Sequence, residues 1–154
     1  MPYIRITALA SLLLLTHLAQ AEVRVDGPVE HGVFVSEAKD LKPGERVLTN
    51  SHQQIDTTTE IPARLGTKFG LRFSLSGKRL DDTPLTLLYL TPGVTGPDGK
   101  RQDKFEVLQK LVVGAPQDIM AFEFTEPYEM VPGEWHFLVF QGDRKLAEQR
   151  FTVR

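Results

Sequence analysis

Lys68-Phe69-Gly70-Leu71-Arg72-Phe73-Ser74-Leu75-Ser76 places a large apolar residue at every second position. Successive side chains of a strand point to opposite faces, so Phe69, Leu71, Phe73 and Leu75 share one buried face, and Lys68, Gly70, Arg72 and Ser74 are expected on a wet one. The same period of two recurs along the chain. It predicts strands at Val23–Asp26, Glu30–Ser36, Arg46–Ile55, Thr57–Ile61, Leu85–Thr91, Phe105–Val113, Ile119–Thr125, Glu134–Phe140 and Lys145–Val153. Between them stand turn signals such as Pro43-Gly44, Leu65-Gly66, Pro97-Asp98-Gly99, Gly114-Ala115-Pro116 and Pro132-Gly133. Many short strands, Gly/Pro turns and no capped 3.6-residue stripe predict an all-β chain. At the C-terminal end, Gln141-Gly142-Asp143-Arg144 reverses a strand carrying Trp135, Phe137 and Val139 into one carrying Ala147, Phe151 and Val153. A terminal hairpin with a central aromatic strand predicts an immunoglobulin-like β-sandwich of about seven to nine strands.

The first 21 residues read differently. Arg5 precedes an apolar run, Ile6–Leu18, holding Leu12–Leu15, and Ala19-Gln20-Ala21 follows. That is the order of a secretory signal peptide, with cleavage expected between Ala21 and Glu22. The run is about 13 residues, short of the roughly 20 a membrane-spanning helix needs. The expected organisation is therefore a signal-peptide helix at 1–21 and one sandwich domain at 22–154. With no Cys in its 154 residues, the chain has neither disulfides nor a lipid-modifiable cysteine. Export without Cys points to a bacterial periplasm and to no stable membrane anchor after cleavage.

Only Arg5 is lost with the leader, so 17 basic and 20 acidic side chains leave a net charge of −3. The basic residues are scattered (Lys39, Lys42, Arg64, Lys78, Arg79). The nearest cluster, Lys100, Arg101 and Lys104, is interleaved with Asp98 and Asp103. Neither nucleic acid nor an anionic membrane is an expected partner.

Two stretches are distinctive together. One is Thr58-Thr59-Glu60-Ile61-Pro62-Ala63-Arg64-Leu65-Gly66-Thr67-Lys68-Phe69-Gly70. The other runs from Glu126-Pro127-Tyr128-Glu129-Met130-Val131-Pro132-Gly133-Glu134-Trp135 to Leu146-Ala147-Glu148-Gln149-Arg150-Phe151. In order and spacing they resemble a bacterial family of exported proteins known as domain of unknown function 3859, over roughly Val29 to Val153. The resemblance implies a β-sandwich and supplies no activity, ligand or catalytic residue.

Candidate chemistry is sparse. His31, His52 and His136 lack the short spacing of a zinc site, and no metal or cofactor is expected. Ser51, His52 and Asp56 could be assembled into a nucleophilic triad, but adjacent strand residues face opposite ways and no G-x-S-x-G turn is present. Asp81, Asp82, Glu123, Glu126, Glu129 and Glu134 sit beside turns, where charged residues are ordinarily solvated. Trp135 reads as core, the alternative being a sugar-stacking platform. No enzyme is expected. What remains is recognition of an envelope protein or cell-wall component, with a carbohydrate or small ligand as the alternative. The candidate surfaces are a loop at Pro92–Lys104, about thirteen residues long, and an apolar face built on Leu138 and Phe140 with Leu88 and Leu90. The N-terminal segment could cover that face.

Overall fold

The alternation at Lys68–Ser76 becomes an inner strand of one sheet, with its aromatic face against a second sheet. The structure, a computed structural model, describes residues 22–36, 40–47 and 52–154. Among these lie nine strands: β1 (Arg24–Phe34), β2 (Ile55–Asp56), β3 (Glu60–Ile61), β4 (Lys68–Ser76), β5 (Leu85–Thr95), β6 (Arg101–Gln109), β7 (Asp118–Glu123), β8 (Gly133–Gln141) and β9 (Arg144–Val153). The first sheet runs β2-β1-β4-β7 and the second β3-β9-β8-β5-β6. All pairings are antiparallel except β3 with β9. The expected β-sandwich is thus the observed fold. The signal-peptide helix falls on residues outside the described set.

Aromatic rings fill the space between the sheets. Phe69 on β4 lies 5.2 Å from Phe137, 5.8 Å from Trp135 and 5.3 Å from Phe151, centroid to centroid, all three on the facing sheet. Trp135 is 0% exposed, and its indole N–H donates to the Val131 carbonyl at 3.0 Å. It is core, with no face left for stacking a sugar. Tyr89 on β5 reaches across the sandwich to donate its hydroxyl to the Ala121 carbonyl of β7 at 3.0 Å. Burial pushes its pKa up to about 12.

Several expectations need correction. The predicted strands at Val23–Asp26 and Glu30–Ser36 are one strand, β1, with its register shifted between Asp26 and Glu30. Gly27 takes φ +76° at that irregularity. Of the predicted strand Arg46–Ile55, residues 48–51 are outside the described set, and of its described residues only Ile55 belongs to a strand. Thr57–Ile61 shrinks to Glu60–Ile61, and a one-turn 3-10 helix at Pro127–Glu129 was not foreseen.

The expected wet face of β4 is also covered. Gly70 and Arg72 are buried. The Arg72 guanidinium donates to both oxygens of Glu30, Nε to Oε2 at 2.7 Å and Nη2 to Oε1 at 3.0 Å, and also to the Gln53 carbonyl. The Arg72 hydrogen bond holds the Glu30 carboxyl below the usual carboxylate range. The chain near Gln53 therefore lies over this face. Phe34 and Val47 are buried there, apart from the main core. Backbones also crowd here: a Cβ on Gly70 would stand 2.0 Å from the Met120 carbonyl oxygen, and one on Gly32, the residue paired with Gly70, 2.0 Å from that of Asp56.

Candidate functional site, a cleft at the tip of the β5–β6 hairpin

The sequence places a long loop at Pro92–Lys104; the structure replaces it with a hairpin. β5 continues to Thr95 and β6 begins at Arg101, leaving Gly96–Lys100 as the turn. Gly99 N–H donates to the Gly96 carbonyl and Gly96 N–H to that of Lys100, both at 3.0 Å. Pro97 follows the first residue of this turn, and Gly99 takes φ +77°, a conformation glycine adopts freely. Pro92-Gly93, the start of the expected loop, is a bulge inside β5. Pairing shifts there between Leu90 and Val94, the Gly93 N–H donates to the Thr91 hydroxyl at 3.1 Å, and Arg101 crosses Gly93 to donate to the Pro92 carbonyl at 2.6 Å.

Between this hairpin tip and the 3-10 turn opens a cleft of about 530 Å³. Val94, Phe105 and Phe122 form its apolar part, Tyr128 stands at its margin at 40% exposure, and Lys100, Gln102 and Glu129 supply polar groups. Phe105 and Phe122 are 6.1 Å apart, and Phe122 rests 5.0 Å from Trp135, so the aromatic core continues outward into the cleft. Glu129 Oε2 accepts from the Thr125 N–H at 2.7 Å, the Glu126 N–H at 3.0 Å and the Thr125 hydroxyl at 3.2 Å. That oxygen fixes the turn carrying Tyr128.

The other candidates are dispersed. His31 is half-buried on β1, its ring 6.5 Å from Phe151; His52 lies in an exposed turn; His136 on β8 pairs with Glu148 at 2.9 Å. Hydrogen bonds from Lys145 and His136 lower the pKa of Glu148. No group of three or more His, Asp or Glu is placed to hold a metal among the described residues. Ser51 is outside the described set, and Asp56 lies on β2. Glu123 accepts from the Val47 N–H at 2.6 Å, Asp82 from that of Arg79 at 2.6 Å, and Glu134 pairs with Arg150. Asp81 lines a second cleft, of about 680 Å³, with Leu80, Asp82 and the β8–β9 turn. That cleft also borders Glu22, where the described chain begins. The Leu138 and Phe140 face is a narrow stripe, with Leu138 only 9% exposed. Across the sheet, Leu88 and Leu138 stand between Glu106 and Glu148, and Leu90 and His136 between Lys104 and Arg150. The described N-terminal segment does not cover this stripe, because Val23 enters the core and β1 joins the other sheet.

Sequence reasoning missed two features. Phe122 and Tyr128 come to Phe105 only through the packing of the sheets. A buried ion pair joins Lys78 to Asp118 at 3.0 Å, the two side chains 4% and 5% exposed. The same ammonium donates to the carbonyls of Val112 and Ala115 at 3.0 and 2.9 Å, fastening the β6–β7 connection.

Two facing, mainly antiparallel sheets around one aromatic core define an immunoglobulin-like β-sandwich. The chain is similar to an immunoglobulin-like protein of Pseudomonas aeruginosa known from a crystal structure: 64% identity, 88% of this chain and 99% of that one covered, TM-score 0.78. The model of the family Domain of unknown function (DUF3859) matches residues 22–153, and the chain belongs to that family. No curated protein matches it.

Proposed function

We propose that this protein is an exported, non-catalytic recognition module that binds an envelope protein or cell-wall component through the cleft at the β5–β6 tip. The observation that carries the reading is the half-open aromatic wall of that cleft, Phe105 and Phe122 with Tyr128 at the margin, set among Lys100 and Gln102. Apolar area with a few polar groups to fix orientation is what a binding site offers. Two carboxylates line it: Glu129 is engaged in holding backbone, and Asp98 accepts from the Lys100 N–H at 3.0 Å. Export rests on the signal-peptide pattern of residues 1–21, with cleavage between Ala21 and Glu22 and release into a bacterial periplasm.

A carbohydrate or small ligand is the second reading, favoured by the aromatic lining. One pair of measurements separates these readings. Intact mass of the exported protein should begin at Glu22; retention of Leu12–Leu15 would overturn export by this signal. The tagged protein and its Tyr128→Ala variant are compared for capture from an envelope extract and for binding to cell-wall oligosaccharides. Loss in the variant of one captured species supports the main reading, and loss of oligosaccharide binding the second. Equal capture by both proteins would remove the cleft. Turnover of a substrate that a single Asp, Glu or His substitution abolishes would make the protein an enzyme.

A further inference from the structure

We propose that two copies of this chain associate through β6, antiparallel and two-fold symmetric about Phe105, to form one continuous sheet. β6 ends the five-stranded sheet, and all its residues but Phe105 and Gln109 are exposed. Its open edge has a definite polarity. Gly96 N–H donates to the Lys100 carbonyl at 3.0 Å, so Lys100 turns its backbone group towards β5. The bulge lies in β5, where four steps from Leu90 to Val94 match two from Lys104 to Gln102, so β6 crosses it with no inserted residue. Even-numbered residues therefore face β5, in agreement with Thr91, whose hydroxyl donates to the Gln102 carbonyl at 3.4 Å. Arg101, Asp103, Phe105, Val107 and Gln109 turn their N–H and C=O groups to the open edge.

An exposed strand edge is a pairing template, and charges on it restrict what can pair. Self-pairing about Lys104 would oppose Lys104 to itself, and about Asp103 or Glu106 would do the same with carboxylates. Pairing about Val107 leaves about half the strand unmatched and brings Lys104 towards Lys110. Pairing about Phe105, the midpoint of β6, overlaps the whole strand and opposes no like charges within it, Lys100 and Lys110 meeting only past its two ends. It sets Lys104 of each copy across from Glu106 of the other, twice by symmetry, on one face of the sheet. These two side chains are exposed (59% and 53%) and only 3.9 Å apart within one chain, so each has reach to spare for a cross-strand partner. Of seven exposed large apolar residues among those described, four (Val107, Leu108, Val112 and Val113) belong to this strand and the segment after it. The occupant that the charge pattern fits is a second copy. The proposal does not depend on the cleft or its ligand.

The test is sedimentation equilibrium of the purified protein over a concentration series, with thermal melting as the check on folding. The parent is expected to dimerise. Lys104→Glu and Glu106→Lys, each alone, should weaken the dimer about tenfold or more, because two attractive pairs become repulsive. An equimolar mixture of the two variants should regain association as a heterodimer, in which every pair is again opposite in charge. Asp103→Pro removes an edge N–H that β5 does not use and should also give a folded monomer. A parent that is monomeric at roughly 0.1 mM would overturn the proposal. So would a dimer indifferent to all three substitutions, two variants that stay apart on mixing, or a monomer whose β6 takes up only extended peptides.

Discussion

β4 and β6 are both nine residues long, and both alternate, yet their surroundings are opposite. From Phe69 to Phe73 every residue of β4 is buried, whereas β6 is exposed on both faces apart from Phe105 and Gln109. The difference lies in neighbours. β4 has a strand on each side, the facing sheet on one face and the chain near Gln53 on the other; among the described strands β6 has β5 alone. A period of two therefore specifies conformation, and position in the sheet specifies burial.

Substitutions can break that comparison, and the largest effect belongs to β4. Phe73→Ala should cost roughly 3–5 kcal/mol, as should Trp135→Ala on the facing sheet, read as a fall in the denaturation midpoint. A change within error of zero would mean that the two sheets do not share one core. Next comes the device that fastens the segment after β6. Lys78→Met leaves Asp118 buried without its cation and should cost about 3 kcal/mol, with faster proteolysis near Val112 and Val113. Equal stability would show that the pair is solvated.

A pH titration sharpens the comparison at the strand between them. The Tyr89 pKa is raised in the fold from 10.0 to about 12, so its contribution is complete below pH 10 and is lost as pH rises from there towards 12. The loss should reach about 2–3 kcal/mol relative to Tyr89→Phe, whose profile lacks this component. Parallel profiles for the two proteins would refute the burial. The smallest effect belongs to β6: Val107→Ala should stay within about 0.5 kcal/mol of the parent.

These contrasts also mark what the sequence reveals. The β8–β9 hairpin lies within one residue of its expected limits at each end, because alternation and the Gly142 turn are both local signals. The β5–β6 hairpin does not, since Pro92-Gly93 punctuates a strand just as it would a turn, and only pairing across to Gln102 tells bulge from loop. Likewise, nothing near Arg72 announces that Gln53 will lie over it. The cleft was half legible: Phe105 and the hairpin tip come from one stretch, but Phe122 and Tyr128 are brought in by sheet packing. The Lys78–Asp118 pair joins residues forty apart with no shared pattern.

The crowding around Gly70 bears on how this chain can vary. Every other amino acid carries the carbon that would stand 2.0 Å from the Met120 oxygen, and Gly32 beside it meets the same obstacle at Asp56. Here the chemistry of the replacement hardly matters, because its first atom already collides. A saturation library selected for folding should therefore be nearly empty at Gly32 and Gly70 while remaining populated at half-buried Ser74, four residues along the same strand.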